Sequence, residues 1–296
     1  MHKLQYVIFY TFALFIMIFP RKLRHSLFKS FASFLYLLLK RKRMIIYANL
    51  DLAFKGEMSQ EEKDKIGKIC FQNLIIEIIS IIEIYFTSTK KLYQNITTEN
   101  REIVDTLKKD RKPIIYIIYH YNNLELGGLA LSSFAQTLHI VQPAKNPYID
   151  AFVKRSRERH GIKTLPMKQA VRRLAIQLKN GGDISLVIDQ GVDIHDGTMV
   201  TMFGEKTSHV NTASYLARKF DAVLVPLHIV QKNSYSCTLQ IKDPIPFTKS
   251  DDEEADITYL TQMQATILEN IIKEDPAPWF WCHKRWKDTH QYIYNK

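Results

Sequence analysis

The sequence predicts an α/β fold in which a mixed sheet is flanked by helices. Short runs rich in β-branched and aromatic residues, such as 113–119 and 184–188, are typical of buried parallel strands. Longer stretches with helical character, such as 124–135, alternate with them. Towards the C-terminus, 222–230 and 234–242 predict a pair of neighbouring strands. This alternation favours a single sheet that is covered by helices.

The N-terminal 43 residues predict a membrane anchor that precedes the main domain, residues 44–296. Residues 4–20 form an almost uninterrupted apolar run, which as a helix is about 25 Å long, slightly shorter than the ~30 Å hydrocarbon core of a bilayer. Residues 21–43 have an apolar centre between clusters of Lys and Arg, a pattern typical of a helix that lies on a membrane surface. The pattern leaves open whether the first run spans the bilayer or enters one leaflet.

Positive charge is concentrated in this segment. The chain has a net charge of +11, and residues 1–43 contain nine Lys or Arg and no Asp or Glu, which leaves 32 basic and 30 acidic residues elsewhere. A broad basic face is therefore not expected, and the sequence predicts no nucleic-acid partner. Because the positive flank follows the apolar run, the main domain is expected on the cytoplasmic side. A cleaved signal peptide is the alternative, but only Lys3 precedes the run and no small-residue cleavage site follows.

Cysteine usage and motif content argue against a bound cofactor. Cys70, Cys237 and Cys282 are far apart and form no paired motif, which favours a reducing compartment. Neither a zinc signature nor a glycine-rich phosphate loop after a strand is present in the sequence. We therefore expect neither a metal nor a nucleotide.

Residues 116–128 carry the most informative pattern. His120 falls where the first strand should end, which is a usual place for functional groups in α/β folds. Asn122 or Asn123 can cap the next helix, which puts Glu125 in its first turn. Across such a turn the imidazole and the carboxylate can meet. A carboxylate-oriented imidazole can take a proton from an alcohol that attacks an acyl thioester, although His and Glu also occur five residues apart by chance.

This stretch resembles the His-x4-Glu signature of the lipid A biosynthesis acyltransferases, the lauroyl and myristoyl transferases of Gram-negative bacteria. Four further segments resemble blocks of that family in the same order: 41–54, 146–161, 178–206 and 276–287. One His-x4-Glu pair alone is weak evidence, whereas five blocks in order cover nearly the whole chain. Met202 and Lys284 depart from the usual family pattern, which puts details of acyl-chain binding in doubt.

The resemblance implies a fold like that of the glycerophosphate acyltransferases, with an N-terminal membrane-anchor helix. It also implies transfer of a fatty acyl chain from acyl-acyl carrier protein to a hydroxyl of a lipid A precursor. The implied partners are the acyl carrier protein, the glycolipid precursor and the lipids of the bacterial inner membrane. The catalytic domain is expected on the cytoplasmic side of that membrane.

The resemblance also suggests roles for individual residues. It implies that His120 is the general base and that Glu125 orients it. The predicted substrate-binding residues are Asn123, Arg157, Asp189 and Gln190. A solvated surface charge is the alternative for Arg157, and a loop cap is the alternative for Asp189.

Two other functions stay open at this point. A glycerophospholipid acyltransferase would share the catalytic logic, but such enzymes typically have His-x4-Asp and a Pro-Glu-Gly-Thr/Ser loop, whereas this chain has Glu125 and lacks that loop. A non-catalytic scaffold tethered to a membrane is the second alternative. It predicts that His120 and Glu125 can be replaced by alanine without effect on lipid acylation.

Overall fold

A central, mostly parallel sheet organises the chain in the computed structural model, which describes residues 1–167, 170–233 and 236–295. Its seven strands are ordered β1-β9-β8-β2-β5-β3-β4, and a separate hairpin is formed by β6 and β7. The strands are β1 (Ile96–Glu99), β2 (Ile114–Ile118), β3 (Thr137–Val141), β4 (Lys163–Pro166), β5 (Asp183–Val187), β6 (Thr198–Met202), β7 (Glu205–His209), β8 (Val223–Asn233) and β9 (Ser236–Ile241).

The pairing of the strands confirms the predicted α/β class. All neighbours in the seven-stranded sheet are parallel except β8 and β9, which pair antiparallel. This antiparallel pair is the one predicted from 222–230 and 234–242; residues 234 and 235 lie outside the described residues. The sheet is therefore mixed, as expected.

Helices cover the sheet on both faces. They are α1 (His2–Ile18), α2 (Arg21–Leu38), α3 (Lys40–Ala53), α4 (Gln60–Phe86), α5 (Thr89–Tyr93), α6 (Arg101–Lys109), α7 (Leu124–Ser132), α8 (Pro147–Glu158), α9 (Ala170–Lys179), α10 (Thr212–Phe220) and α11 (Glu253–Glu274), with a C-terminal 3-10 helix (Gln291–Tyr294). Helix α4 begins with a capping box in which Ser59 and Glu62 each satisfy a backbone N–H of the other.

Strand β2 lies at the centre of the core. All five of its residues are buried. Ile115 and Ile117 pack into one hydrophobic cluster, and the alternate residues Ile114, Tyr116 and Ile118 pack into another on the opposite face. This two-sided burial explains why the strand is continuously apolar rather than alternating.

The N-terminal segment is a helical hairpin that packs against α4. Arg24 and His25 on α2 contact the buried Glu83 carboxylate of α4, with Nε–Oε1 and Nε2–Oε1 distances of 2.7 and 2.8 Å. Among the described residues α4 is the one helix long and apolar enough to cross a membrane by length and composition, while α1 is a shorter apolar helix. Because α4 also contacts α3, α7 and α8, it is part of the core.

Residues 40–43 differ from their predicted position. The sequence suggested that these four cations close a membrane-surface helix, but α2 ends at Leu38 and the cations form the first turn of α3. Leu39, whose ψ of 62° is not helical, separates the two helices. The outer surface of the hairpin, called the apolar face below, consists of exposed residues on α1 and α2: Leu4, Val7, Ile8, Phe15, Ile18, Leu23, Leu27, Phe31, Phe34, Leu37 and Leu38.

Candidate active site

His120 lies just beyond the carboxyl end of β2, where its ring opens into a cavity of about 230 Å³. Asn122 turns the chain towards α7 with a positive φ of 57°, which asparagine tolerates better than most residues. The cavity lies between α4, the ends of β2 and β5, and the C-terminal segment; its lining is Cys70, Asn73, Leu74, Glu77, His120, Asn122, Gln190, Pro278, Trp279 and Phe280.

Asp189 is the carboxylate that holds the His120 ring. It follows β5, which pairs in parallel with β2, so the ends of the two strands meet at one edge of the sheet. Its Oδ1 lies 2.7 Å from Nδ1 of His120, and its Oδ2 accepts from the His120 backbone N–H at 2.9 Å. The indole N–H of Trp279 donates to Oδ2 at 2.8 Å. Three donors thus surround a carboxylate that is 2% exposed.

The two groups shift each other's proton affinity in opposite directions. Burial alone would raise the pKa of Asp189, but the His120 ring, the Trp279 indole and the His120 backbone N–H more than offset it, so this pKa is lowered. Burial alone would lower the pKa of His120, but Asp189 and, to a smaller extent, Glu77 raise it. Asp189 is therefore held ionised, and Nδ1 of the ring carries a proton directed at it.

Glu125 does not make the contact with His120 that the sequence suggested. It lies in the first turn of α7, as predicted, but both of its carboxylate oxygens bind the Arg157 guanidinium of α8, with an Nε–Oε2 distance of 3.1 Å. The predicted orienting contact between Glu125 and His120 is therefore wrong. The first turn of α7 directs Glu125 towards α8, whereas β5 brings Asp189 to the His120 ring.

Arg157 is a partly buried member of this ion pair, and its side chain is 22% exposed. Burial alone would lower the pKa of Arg157, but the hydrogen bonds and charge of Glu125 raise it. The alternative of a freely solvated surface charge is thus wrong. Its guanidinium and the Glu125 carboxylate do not line the cavity, but both interact electrostatically with Glu77, which does.

Asn123 was predicted to bind substrate, but its side chain is used within the fold. Its Oδ1 caps α7 by accepting from the Leu126 backbone N–H at 3.0 Å, and its Nδ2 donates to Oγ of Ser80 at 2.7 Å. The residue is 2% exposed and lies outside the cavity lining. The prediction that it caps the helix is therefore confirmed, and its side chain is buried in contacts within the fold.

Gln190 does face the cavity. Its amide Nε2 lies 3.3 Å from Nε2 of His120. Because Nδ1 of His120 donates to Asp189, Nε2 is the unprotonated atom, and the amide donates to it. An acceptor alcohol that enters the cavity would displace or share this hydrogen bond.

The C-terminal block completes the wall around His120. The Phe280 N–H donates to the His120 carbonyl at 3.0 Å, and the Asn122 N–H donates to the Pro278 carbonyl at 3.2 Å. Trp279 lies between these contacts, and its indole N–H donates to Asp189. A segment about 160 positions further along the chain thus fixes the loop that carries His120.

Comparison with known proteins places the chain in a family. The family model described as bacterial lipid A biosynthesis acyltransferase matches residues 1–288. The chain belongs to this family. It is also similar to the lipid A biosynthesis lauroyltransferase of Escherichia coli (strain K12), with 23% identity over 251 residues that cover 84% of this chain and 80% of the relative.

In this member of the lipid A acyltransferase family, the sequence analysis missed two polar residues of the cavity, Asn73 and Glu77 on α4. Both stand in the Ile- and Leu-rich part of α4. The run 74–84 is mostly isoleucine and leucine. The carboxylate of Glu77 within it is a signal that could have identified this residue, because a buried charge needs a partner or a function.

Proposed function

We propose that the protein transfers a fatty acyl chain from acyl-acyl carrier protein to a hydroxyl of a lipid A precursor, the secondary acylation of lipopolysaccharide or lipooligosaccharide biosynthesis. Family membership supports the reaction class. The observation that carries the mechanism is the His120 ring, held at Nδ1 by a buried carboxylate while Nε2 faces a cavity that can admit a hydroxyl.

In this mechanism His120 acts as a general base. The acceptor hydroxyl gives its proton to Nε2 as its oxygen attacks the carbonyl carbon of the acyl thioester. Asp189 stabilises the imidazolium that forms, and the ring then gives the proton to the departing thiolate. Base catalysis of this kind contributes roughly 10²–10⁴-fold, and the remainder of the rate comes from positioning and electrostatic stabilisation.

Glu125 and Arg157 act together in this proposal. Glu125 binds two nitrogens of the guanidinium and thereby fixes the direction of the positive charge. Arg157 in turn attracts a negatively charged part of the substrate or the negative charge that develops on the carbonyl oxygen. Glu125 is thus essential through Arg157, while Gln190 positions the hydroxyl beside Nε2.

We further propose that residues 1–43 bind the bacterial inner membrane and that residues 44–296 form the acyltransferase domain on its cytoplasmic side. Support comes from the apolar face of the hairpin and from the cations that lie next to it. We assign the α/β core to the glycerophosphate acyltransferase type, in which catalysis takes place close to the lipid. The hairpin would bring the cavity to a substrate that stays in the bilayer.

Two measurements test the proposal. Mass spectrometry of lipid A from cells with and without the gene should differ by one acyl chain. The purified protein should transfer that chain from acyl-acyl carrier protein to the precursor, and His120→Ala should lose this activity while remaining folded. Unchanged lipid A together with transfer to glycerol phosphate would contradict the proposal, as would full activity of His120→Ala.

A further inference from the structure

Helix α4 presents one face to the cavity, and this face carries the polar side chains Asn73 and Glu77. Cys70, Asn73, Leu74 and Glu77 are spaced three, one and three residues apart, so they share one face of the helix. The opposite wall carries His120. The substrate hydroxyl therefore has to enter between the His120 ring and a helix face that bears a carboxyl group.

Glu77 is surrounded by charged groups from three other elements. It faces His120 beyond β2, Glu125 on α7 and Arg157 on α8, and it accepts from the Leu124 backbone N–H at the start of α7. Burial is the largest influence and, with Glu125, raises the pKa of Glu77 to about 7; His120, Arg157 and the Leu124 N–H act in the opposite direction. The carboxyl group thus changes its charge in the pH range in which enzymes normally work.

We propose that Glu77 is a positioning residue of the active site, which acts on His120 from the α4 wall of the cavity and stabilises the protonated ring. This inference rests on the proposed function for its role in the reaction. Asp189 holds Nδ1 by a direct hydrogen bond, whereas Glu77 lines the same cavity as His120 and acts on the ring through its charge. When the hydroxyl proton moves to Nε2, the ionised Glu77 lowers the energy of the imidazolium.

A purely structural role would not require an ionisable group at this position. The contact between α4 and α7 is already made by the hydrogen bond from Asn123 to Ser80, one turn further along α4. An amide at position 77 could also accept from the Leu124 N–H. What glutamine cannot replace is the negative charge that faces His120.

The test is the titration of the His120 ring in protein with labelled histidines, followed by NMR and assigned with His120→Asn. In Glu77→Gln the ring should titrate at lower pH than in the wild type, because a neighbouring negative charge has been removed. Glu61→Gln is the matched control, since it removes a carboxylate from the exposed start of the same helix and should leave the titration unchanged. Glu77→Asp, which withdraws the charge from the cavity, should give an intermediate value.

Kinetics provide the second readout. The acid limb of the profile of kcat/KM against pH should move to lower pH in Glu77→Gln, and kcat at neutral pH should fall about tenfold.

A folded Glu77→Gln protein with an unchanged His120 titration would overturn the inference, whether or not its activity is lost. If Glu77→Gln does not fold, an unchanged titration in Glu77→Asp would overturn it. If the wild type transfers no acyl chain but the titration shifts, the proposed function fails and the inference about Glu77 stands.

Discussion

Asp189 is the residue that fixes the orientation of His120, the proposed general base. Asp189→Asn should lower kcat by about 10⁴-fold, because the amide no longer accepts from Nδ1 and favours the wrong tautomer of His120. Asp189 raises the pKa of His120, so its removal should also move the acid limb of the rate profile to lower pH. Rates measured across pH would check both effects.

Asp193→Asn serves as the control for this prediction. It makes the same change on an exposed residue of the following loop, and its rate profile should match that of the wild type. If Asp189→Asn retained wild-type kcat, the orienting role of this carboxylate would have to be abandoned.

The Glu125–Arg157 pair predicts a separate effect on stability. Arg157→Met should lower the free energy of unfolding by about 3–5 kcal/mol, because it leaves a buried carboxylate without its partner. In the double variant Glu125→Gln/Arg157→Met that charge is absent, so part of the loss should be recovered. Denaturant unfolding of the wild type, Arg157→Met, Glu125→Gln and the double variant gives the coupling energy between the two side chains. Strictly additive losses would show that the two side chains do not interact.

Arg157→Lys separates stability from substrate binding. Lysine keeps the charge but lacks the planar, two-pronged donor set that binds both oxygens of Glu125. We expect a smaller loss of stability than for methionine, together with a higher KM for the acceptor.

At the scale of elements, the approach of α7 to the sheet depends on one of its two glycines. A Cβ on Gly127 would overlap the side chain of Ile229 on β8, with Cγ1 only 2.8 Å away, whereas a Cβ on Gly128 would lie at an ordinary 3.5 Å from Ile162. Gly127→Ala should therefore destabilise the fold. The steric overlap costs about 1–3 kcal/mol, and the higher helix propensity of alanine offsets part of that cost.

Gly128→Ala is the matched control, since it has the same gain in propensity and should be neutral or stabilising by up to about 1 kcal/mol. Thermal unfolding of the two variants checks the difference. The addition of Ile229→Val should relieve part of the Gly127→Ala effect, and equal stability of the two alanine variants would show that α7 has room to shift.

The attachment of the hairpin to α4 depends on ionised Glu83. Burial alone would raise the pKa of this carboxyl, but His25, Arg21 and Arg24 lower it. A lowered pKa in the folded state means that the stabilisation is present above the ordinary pKa of glutamate and is lost as the pH falls through the folded value. Limited proteolysis between α1 and α2 should therefore accelerate in acid.

In Glu83→Gln the same proteolysis should be fast already at neutral pH, because Arg24 loses the carboxylate that compensates its buried charge. Glu57→Gln, at an exposed position before α4, is the control and should be cleaved like the wild type. Equal cleavage of Glu83→Gln and wild type at neutral pH would contradict this account.

At the scale of the whole molecule, the apolar face is the surface that we propose to bind the membrane. Replacement of Leu27, Phe31 and Phe34 by serine should weaken binding to lipid vesicles by about 100-fold or more, because each side chain contributes about 1 kcal/mol or more on insertion. The fold should survive, since all three side chains are exposed on α2. Vesicle sedimentation at low and high salt separates this apolar contribution from that of the neighbouring cations.

Val171→Ser with Ile176→Ser makes a comparable change on α9, where both side chains are also exposed. This control should bind vesicles like the wild type. Deletion of residues 1–43 is a less direct test, because α2 packs along α4 and its removal would uncover the core. Full binding by the triple serine variant would show that another surface holds the membrane.

Local patterns in the sequence predicted β2, β5, the β8–β9 pair, α7 and the position of His120. They did not predict β1, β4 or the β6–β7 hairpin, whose strands are only four or five residues long and are not continuously apolar. The apolar run 113–119 predicted β2. The end of that run at Tyr119 predicted that His120 follows the strand. The Asn123 cap and the Ser59–Glu62 box were predictable because caps depend on residues within one turn of each other. The two apolar N-terminal segments were visible from composition alone, but the end of the second helix at Leu38 was not.

Which carboxylate reaches the base was decided only by the tertiary structure. Glu125 is five residues from His120, but the first turn of α7 directs it to Arg157 on α8. Asp189 is 69 positions away along the chain and lies 2.7 Å from Nδ1, because β5 pairs in parallel beside β2 and brings its carboxyl end to the same edge of the sheet. Strand order is set by the packing of the whole core, and separation along the chain carries no information about it.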